Sequence, residues 1–130
     1  MDAFKRGMEV LGWFEGRNIH FDVRFAPGNA DNVSSATSET LKLAPVLVVA
    51  NTNKVVIALK QQTRTLPIVF VQVTDPVTAG IVESLAAPGG NITGFTSLDF
   101  SLSAKSVETL REIAPKVARL AMLRDSTDPQ

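Results

Sequence analysis

The sequence predicts an α/β domain built on an open, mostly parallel sheet with helices on both faces. Three observations carry that class. Short runs such as Val46-Leu47-Val48-Val49-Ala50 and Pro67-Ile68-Val69-Phe70-Val71-Gln72-Val73 are β-branched and mostly apolar at consecutive positions, as strands buried on both faces are. Segments with apolar residues at helical spacing lie between such runs. The connections are short, so strands and helices alternate as in βαβ units.

Taken in order, Phe4, Met8 and Leu11 recur at helical spacing, and Gly12 follows as a C′ stop. Ile19, Phe21, Val23 and Phe25 alternate with polar residues, which predicts a half-exposed or edge strand over residues 19–25. Val33, Ala36, Thr37, Leu41 and Ala44 form a weak stripe between Asn29 and Pro45; its Ser/Thr content makes this a poor helix by propensity. The second strand is residues 46–50. Val55, Ala58, Leu59 and Gln62 mark the third helix. The third strand is residues 67–73, with Pro67 at the first position, where its missing N–H costs least. Val77, Ile81 and Leu85 predict a fourth helix, with Asp75 as N-cap and Pro76 at N1. Pro88-Gly89-Gly90-Asn91 is a turn into a short strand over residues 92–95. Leu102, Val107, Leu110, Ile113 and Ala114 predict a fifth helix, ended by Pro115, and residues 117–123 a last strand. The chain opens on a helix, whereas a doubly wound domain opens on a strand at the middle of its sheet.

Composition narrows the function. The chain has 130 residues, 45% of them hydrophobic, which suits one globular domain or one domain and part of a second. Thirteen basic and 13 acidic residues balance to zero, with no basic run, so phosphate neutralisation of a nucleic acid is not expected. There is no cysteine and one histidine, His20, which excludes a disulfide framework, a thiolate zinc site and a Cys nucleophile. His20 alternates away from the apolar face of its segment and reads as solvated. No Gly-x-Ser-x-Gly elbow accompanies it, and no second His or Cys could share a metal. Neither a metal nor another cofactor is expected. No apolar run approaches the roughly 18 residues of a membrane span, and the first residues, Met1-Asp2-Ala3-Phe4-Lys5-Arg6-Gly7, lack the apolar core of a signal peptide.

In open parallel sheets, ligands bind beyond the carboxyl ends of the strands. That rule selects Pro27-Gly28, Asn51-Thr52-Asn53, Thr74-Asp75-Pro76 and Thr96-Ser97. Asn51-Thr52-Asn53 turns a buried strand directly into a helix. The first N–H groups of that helix lack internal partners, and the helix dipole makes its start partly positive. A carboxylate or phosphate can dock there, closed in by the Thr52 hydroxyl and an Asn amide. Ordinary N-capping by Asn or Thr explains the same residues. Likewise Asp75 and Thr74 either cap a helix or bond an amine or hydroxyl of a ligand. Pro88-Gly89-Gly90-Asn91 lacks both GxGxxG and a P-loop lysine and reads as a turn.

Whole phrases add more. Phe4-Lys5-Arg6-Gly7-Met8-Glu9-Val10-Leu11-Gly12-Trp13-Phe14-Glu15-Gly16-Arg17-Asn18 resembles the F-x-x-G-L-x-x-L-G-Y-x-E-G-x-N opening of a family of bacterial ABC-transporter substrate-binding proteins. These are type I periplasmic-binding-like proteins with tryptophan- and other aromatic-amino-acid-binding members. The resemblance continues through Leu66-Pro67-Ile68-Val69-Phe70, Thr74-Asp75-Pro76-Val77 and Leu110-Arg111-Glu112-Ile113-Ala114-Pro115. It is most specific at Pro88-Gly89-Gly90-Asn91-Ile92-Thr93-Gly94.

The resemblance implies two lobes that close on a small solute without covalent chemistry. Residues 1–94 would be the first lobe, lacking its first strand. Residues 95–98 would be the hinge crossover and 99–130 the start of a second lobe. Asn51, Thr52 and Asn53 would hold a carboxylate, Thr74 and Asp75 an amine or hydroxyl, and Asp125 would face them from the second lobe. The implied partner is an ABC permease, and the implied location is the periplasm or, as a lipoprotein, the cell exterior. A different expectation follows from the lacking strand: another chain, such as a second copy in a homodimer, completes the sheet, and the protein is a structural or interaction module without transport. An enzyme or receiver-like domain would need an acidic cluster at the strand ends, and in the first lobe only Asp75 sits at one.

Overall fold

The computed structural model describes residues 1–26, 29–98, 101–117, 119 and 121. Its elements are α1 (Asp2–Val10), α2 (Ala30–Lys42), β1 (Val48–Asn51), α3 (Asn53–Gln62), β2 (Ile68–Thr74), β3 (Ile92–Leu98) and α4 (Ser101–Ile113). The three strands form one parallel sheet in the order β1-β2-β3. The expected parallel α/β class is therefore present, with fewer strands than the sequence pattern suggested.

The core sits between the sheet and α3. Ala50, Ile68, Phe70 and Ile92 project from the three strands against Val56 and Leu59 of α3, with Val73, Ile81 and Val82 completing the cluster. Full burial of each large aliphatic or aromatic side chain contributes about 1.5–3 kcal/mol. Glycine at position 94 lets β3 lie close against Phe70 of β2, because a Cβ there would meet the Phe70 carbonyl oxygen at 2.1 Å. The register sets Val49, Val69 and Thr93 in one row of the opposite face, and Asn51, Val71 and Phe95 in the next. On that face Val49 and Phe95 remain 46% and 75% exposed.

α2 packs on α3 rather than directly on the sheet. Its poor propensity is offset by its contacts with α3. The Thr37 and Thr40 hydroxyls donate back to the carbonyls of Val33 and Ala36 within the helix at 3.0 and 2.8 Å, satisfying polar groups that otherwise compete with helix formation. Gln62 of α3 donates to the Thr37 hydroxyl at 2.7 Å and accepts from Ser38 at 2.9 Å, tying the two helices together. The start is capped by Asn29, whose side chain accepts from the Asn32 N–H at 2.8 Å.

The N-terminal helix ends as the sequence predicts. Gly12 takes φ +87°, its N–H donates to the Glu9 carbonyl, and the Trp13 N–H donates to Met8, which is a Schellman closure. α1 buries no residue fully; Phe4 packs edge-on against Phe21 with ring centres 5.8 Å apart.

Three expectations are corrected or narrowed. Residues 19–25 do not form a strand: among the described residues the only pairing near them is an isolated bridge between Glu15 and Ile19. Alternation supplies a face but not a neighbour, and no described strand lies beside these residues to take their backbone hydrogen bonds. His20, within that segment, is exposed as its alternation suggested.

The predicted fourth helix does not form either. Asp75 and Pro76 do start a turn, but it closes at once: the Gly80 N–H donates to Val77 and the Ile81 N–H to Pro76. This is a second Schellman closure, made possible by Gly80 at φ +66°. A glycine one turn after the cap is a stop signal that the apolar spacing of Val77, Ile81 and Leu85 obscured. The last predicted strand lies mostly outside the described residues, and Val117, Arg119 and Ala121, which are described, are not in a strand.

Candidate functional site

The carboxyl ends of β1 and β2 bring together Asn51, Thr52, Asn53, Gln72, Thr74 and Asp75. A parallel pair in register explains this: Asn51 lies opposite Val71, so each strand's exit loop emerges on the same edge. Thr52 takes φ +74° and ψ +151°, a region that costs a β-branched residue about 1–3 kcal/mol. That conformation turns the chain from β1 into α3 with no intervening loop.

α3 starts without a side-chain cap, since the Thr52 hydroxyl makes no bond to the first turn. Its first internal bond runs from the Val56 N–H to the Thr52 carbonyl, 3.2 Å. The half-buried Lys54 adds a full positive charge to the first turn, where no acidic residue offsets it. A cation at a helix start adds to the partial positive charge of the dipole there.

Asn53 is nearly buried, at 6% exposure. Its amide grips the backbone of Thr74 from both sides: Nδ2 donates to the Thr74 carbonyl at 2.7 Å, and Oδ1 accepts from the Thr74 N–H at 2.9 Å. Asn53 therefore fixes the start of α3 against the end of β2, and its amide is committed to that clamp. The Asp75 carboxylate accepts from the Thr78 N–H at 3.1 Å, the capping bond expected of it, while Asp75 itself sits at φ +40°. Asp75 and Thr74 are half-buried, and Asn51 and Thr52 are exposed. Thr96, within β3, donates its hydroxyl to the Val73 carbonyl at 2.8 Å.

Asp125 and the Pro27-Gly28 loop lie outside the described residues. Two residues of the cluster were not singled out from the sequence. Lys54 directly follows the chosen triplet, and Gln72 is the one polar interruption in an apolar strand; both signals were available. Among the described residues no group of three or more His, Cys, Asp or Glu side chains comes together to hold a metal. A surface depression of about 650 Å³ lies along α4, lined by Val107, Glu108, Arg111, Glu112 and Pro115. It is formed by one helix and the turn after it, away from the strand ends.

In an open parallel sheet, polar loops at the strand ends are where ligands bind. The model of the family described as ABC transporter substrate binding protein matches residues 1–129, and the chain belongs to that family. Members of this family are binding proteins that act outside the cytoplasm, in the periplasm or at the cell exterior. The chain is 29% identical over 126 residues to a tyrosine-binding protein of Clostridioides difficile, an alignment covering 97% of this chain and 36% of that protein.

Solved structures agree on the fold. A conserved domain protein of Vibrio cholerae superposes with a TM-score of 0.78 at 35% identity, over 89% of this chain and 38% of the other. A ligand-free, open substrate-binding protein with adhesive properties from Clostridium difficile gives 0.70 at 30% identity, over 88% and 38%. A Streptococcus pneumoniae ABC domain in complex with L-Trp gives 0.72 at 24% identity, over 89% and 38%. The chain thus spans little more than a third of the length of each of these relatives.

Proposed function

We propose that this chain is part of the solute-binding component of a bacterial ABC importer and recognises a small carboxylate-bearing solute, such as an amino acid, without catalysing a reaction on it. The observation that carries this is the start of α3: an uncapped helix end with Lys54 in its first turn and, beside it, a Thr52 hydroxyl that makes no capping bond. Backbone N–H groups at such an end favour a carboxylate. Thr52 and the first turn of α3 hold the carboxylate, with Asn51 at its side. Asp75, brought alongside by the Asn53–Thr74 clamp, offers a carboxylate to the solute's ammonium group. In this reading Asn53 and Thr74 position the site rather than touch the solute.

The tyrosine-binding relative supports an amino acid as the solute class. Residues 1–94 act as the first lobe, residues 95–98 as the crossover and 99–130 as the start of the second. Asp125, by the family resemblance, is that lobe's contribution to the site, and an ABC permease receives the solute. The test is calorimetric titration of amino acids into the full protein that carries this chain. Thr52→Ala and Asp75→Ala are each expected to weaken binding about tenfold to a hundredfold, the range for charge-assisted hydrogen bonds. Unchanged affinity in both variants would remove the site assignment.

One observation favours a second reading, an assembly of two copies. The Val48 N–H donates inward to the Pro67 carbonyl. By the alternation of a parallel ladder the backbone groups of Leu47 and Val49 then point to the outer edge of β1, where Val46, Leu47 and Val49 are exposed. Such an edge accepts another strand. Light scattering on a sizing column decides between the readings: a stable dimer supports edge pairing, and a monomer removes it.

A further inference from the structure

Gln72 is the strained residue inside the sheet, with φ +53°. Ile68 and Phe70 face the core, so strict alternation would place Gln72 next on that face and bury its amide against apolar side chains. The register instead skips it. Val71 pairs with Phe95 and Val73 with Thr96, leaving Gln72 unpaired in a bulge. Val73 takes the core position at 0% exposure, and Gln72 turns out to solvent. There its Oε1 accepts from the Asn51 Nδ2 at 2.8 Å. A left-handed backbone at a residue other than glycine costs energy, and here it delivers one amide to the edge where the solute is proposed to bind.

Two amides joined by one hydrogen bond keep one amino group and one carbonyl oxygen unused, whichever way round they are oriented. No other hydrogen bond engages either amide among the described residues. A carboxylate only accepts and an ammonium only donates, whereas a hydroxyl does both. The pair therefore matches a hydroxyl better than either charged end of an amino acid. Asn51 directly precedes Thr52, so the pair stands beside the carboxylate position.

We propose that Gln72, held by Asn51, is a specificity-determining residue of the solute site and selects solutes bearing a neutral hydroxyl over analogues that lack it. This rests on the solute-binding reading above. A site that bonds a hydroxyl leaves its own polar groups unpaired when the analogue binds, which is how such discrimination arises.

The experiment is calorimetry on the full protein with L-tyrosine against L-phenylalanine and L-serine against L-alanine, each pair differing by one hydroxyl. In whichever pair binds, the hydroxylated member is expected to bind about tenfold tighter, the worth of one good hydrogen bond. Gln72→Met should bring that ratio to within about twofold, chiefly by weakening the hydroxylated member. Gln72→Leu likewise carries no amide and should lose the preference in the same way. A ratio that survives both variants overturns the proposal. So does an equal weakening of both members of a pair, which would make Gln72 a shaper of the strand only. If the unaltered protein binds neither pair nor any other amino acid, it is the solute-binding reading that fails, and the selectivity of Gln72 fails with it.

Discussion

Replacing Gly94 by alanine is expected to destabilise the protein by about 3 kcal/mol, near the upper end for overpacking. The added Cβ would lie 2.1 Å from the Phe70 carbonyl oxygen and 2.6 Å from both the Phe70 nitrogen and its ring carbon Cγ. The obstacle is mostly backbone, in the central strand of the sheet, so no side chain can swing aside. Relief requires β3 to move away from β2, which breaks ladder bonds and opens the core around Phe70. For a protein with a total stability of about 5–15 kcal/mol, that is a large share. The midpoint of thermal unfolding is expected to fall by roughly 10 °C. Gly7, with nothing within 4 Å of its ideal Cβ, is the control. As an alanine in α1 it should be neutral or stabilising by about 0.5–1 kcal/mol. Equal melting of the Gly94→Ala protein and the parent would show that the strands do not approach as closely as described.

Asn53→Ala is expected to cost about 2 kcal/mol and to weaken solute binding without removing a contact to the solute. The variant deprives both the N–H and the carbonyl of Thr74 of their partner, and each buried unsatisfied group costs about 1–3 kcal/mol. Thr74 is half-buried, so water recovers part of that loss. Asn53→Asp separates the two halves of the clamp. It keeps an acceptor for the Thr74 N–H but sets a carboxylate against the Thr74 carbonyl, so it should not restore the parent's stability even though an acid suits the first turn of a helix. Urea unfolding measures both. A denaturation midpoint for Asn53→Ala matching the parent would mean that the clamp contributes nothing. An intact clamp also keeps Asp75 beside Thr52, which is why the same variant should lower affinity.

The strand-ends rule located the edge before any coordinates, because parallel strands in register must open their exit loops on one side. It did not divide the labour there. Asn53 and Thr52 are neighbours of similar polarity, yet one is buried in a clamp and the other exposed with its hydroxyl unused by the helix. That difference depends on where β2 ends relative to α3, a distance of 21 residues along the chain. Gln72 was passed over for a related reason. A polar residue in an apolar run looks like a flaw in a strand until a bulge is seen to expel it.

The misread segments have equally local causes. Residues 19–25 alternate as a strand should, but strand formation needs a hydrogen-bonding neighbour, and alternation says nothing about that. The stretch after Asp75 carries a proper cap and Pro76 at the first helical position, but Gly80 ends the turn before a helix can propagate. Conversely, the Ser/Thr-rich stretch before Pro45 folds as a helix against its propensity, because packing on α3 and the Gln62 bonds to Thr37 and Ser38 outweigh small propensity terms.

Alone, the sequence determined the parallel α/β class, the family, the turn at Gly89 and Gly90 and the edge on which the polar strand-end loops gather. These follow from periodicity, from short-range stereochemistry and from a specific run of residues, all of which act over a few positions. Only the tertiary structure decided which strands pair, which asparagine clamps and which is exposed to solvent, and that Gln72 turns out to meet Asn51. Those depend on contacts between residues distant in the chain, where hydrogen-bond partners and free space are set by the packed whole.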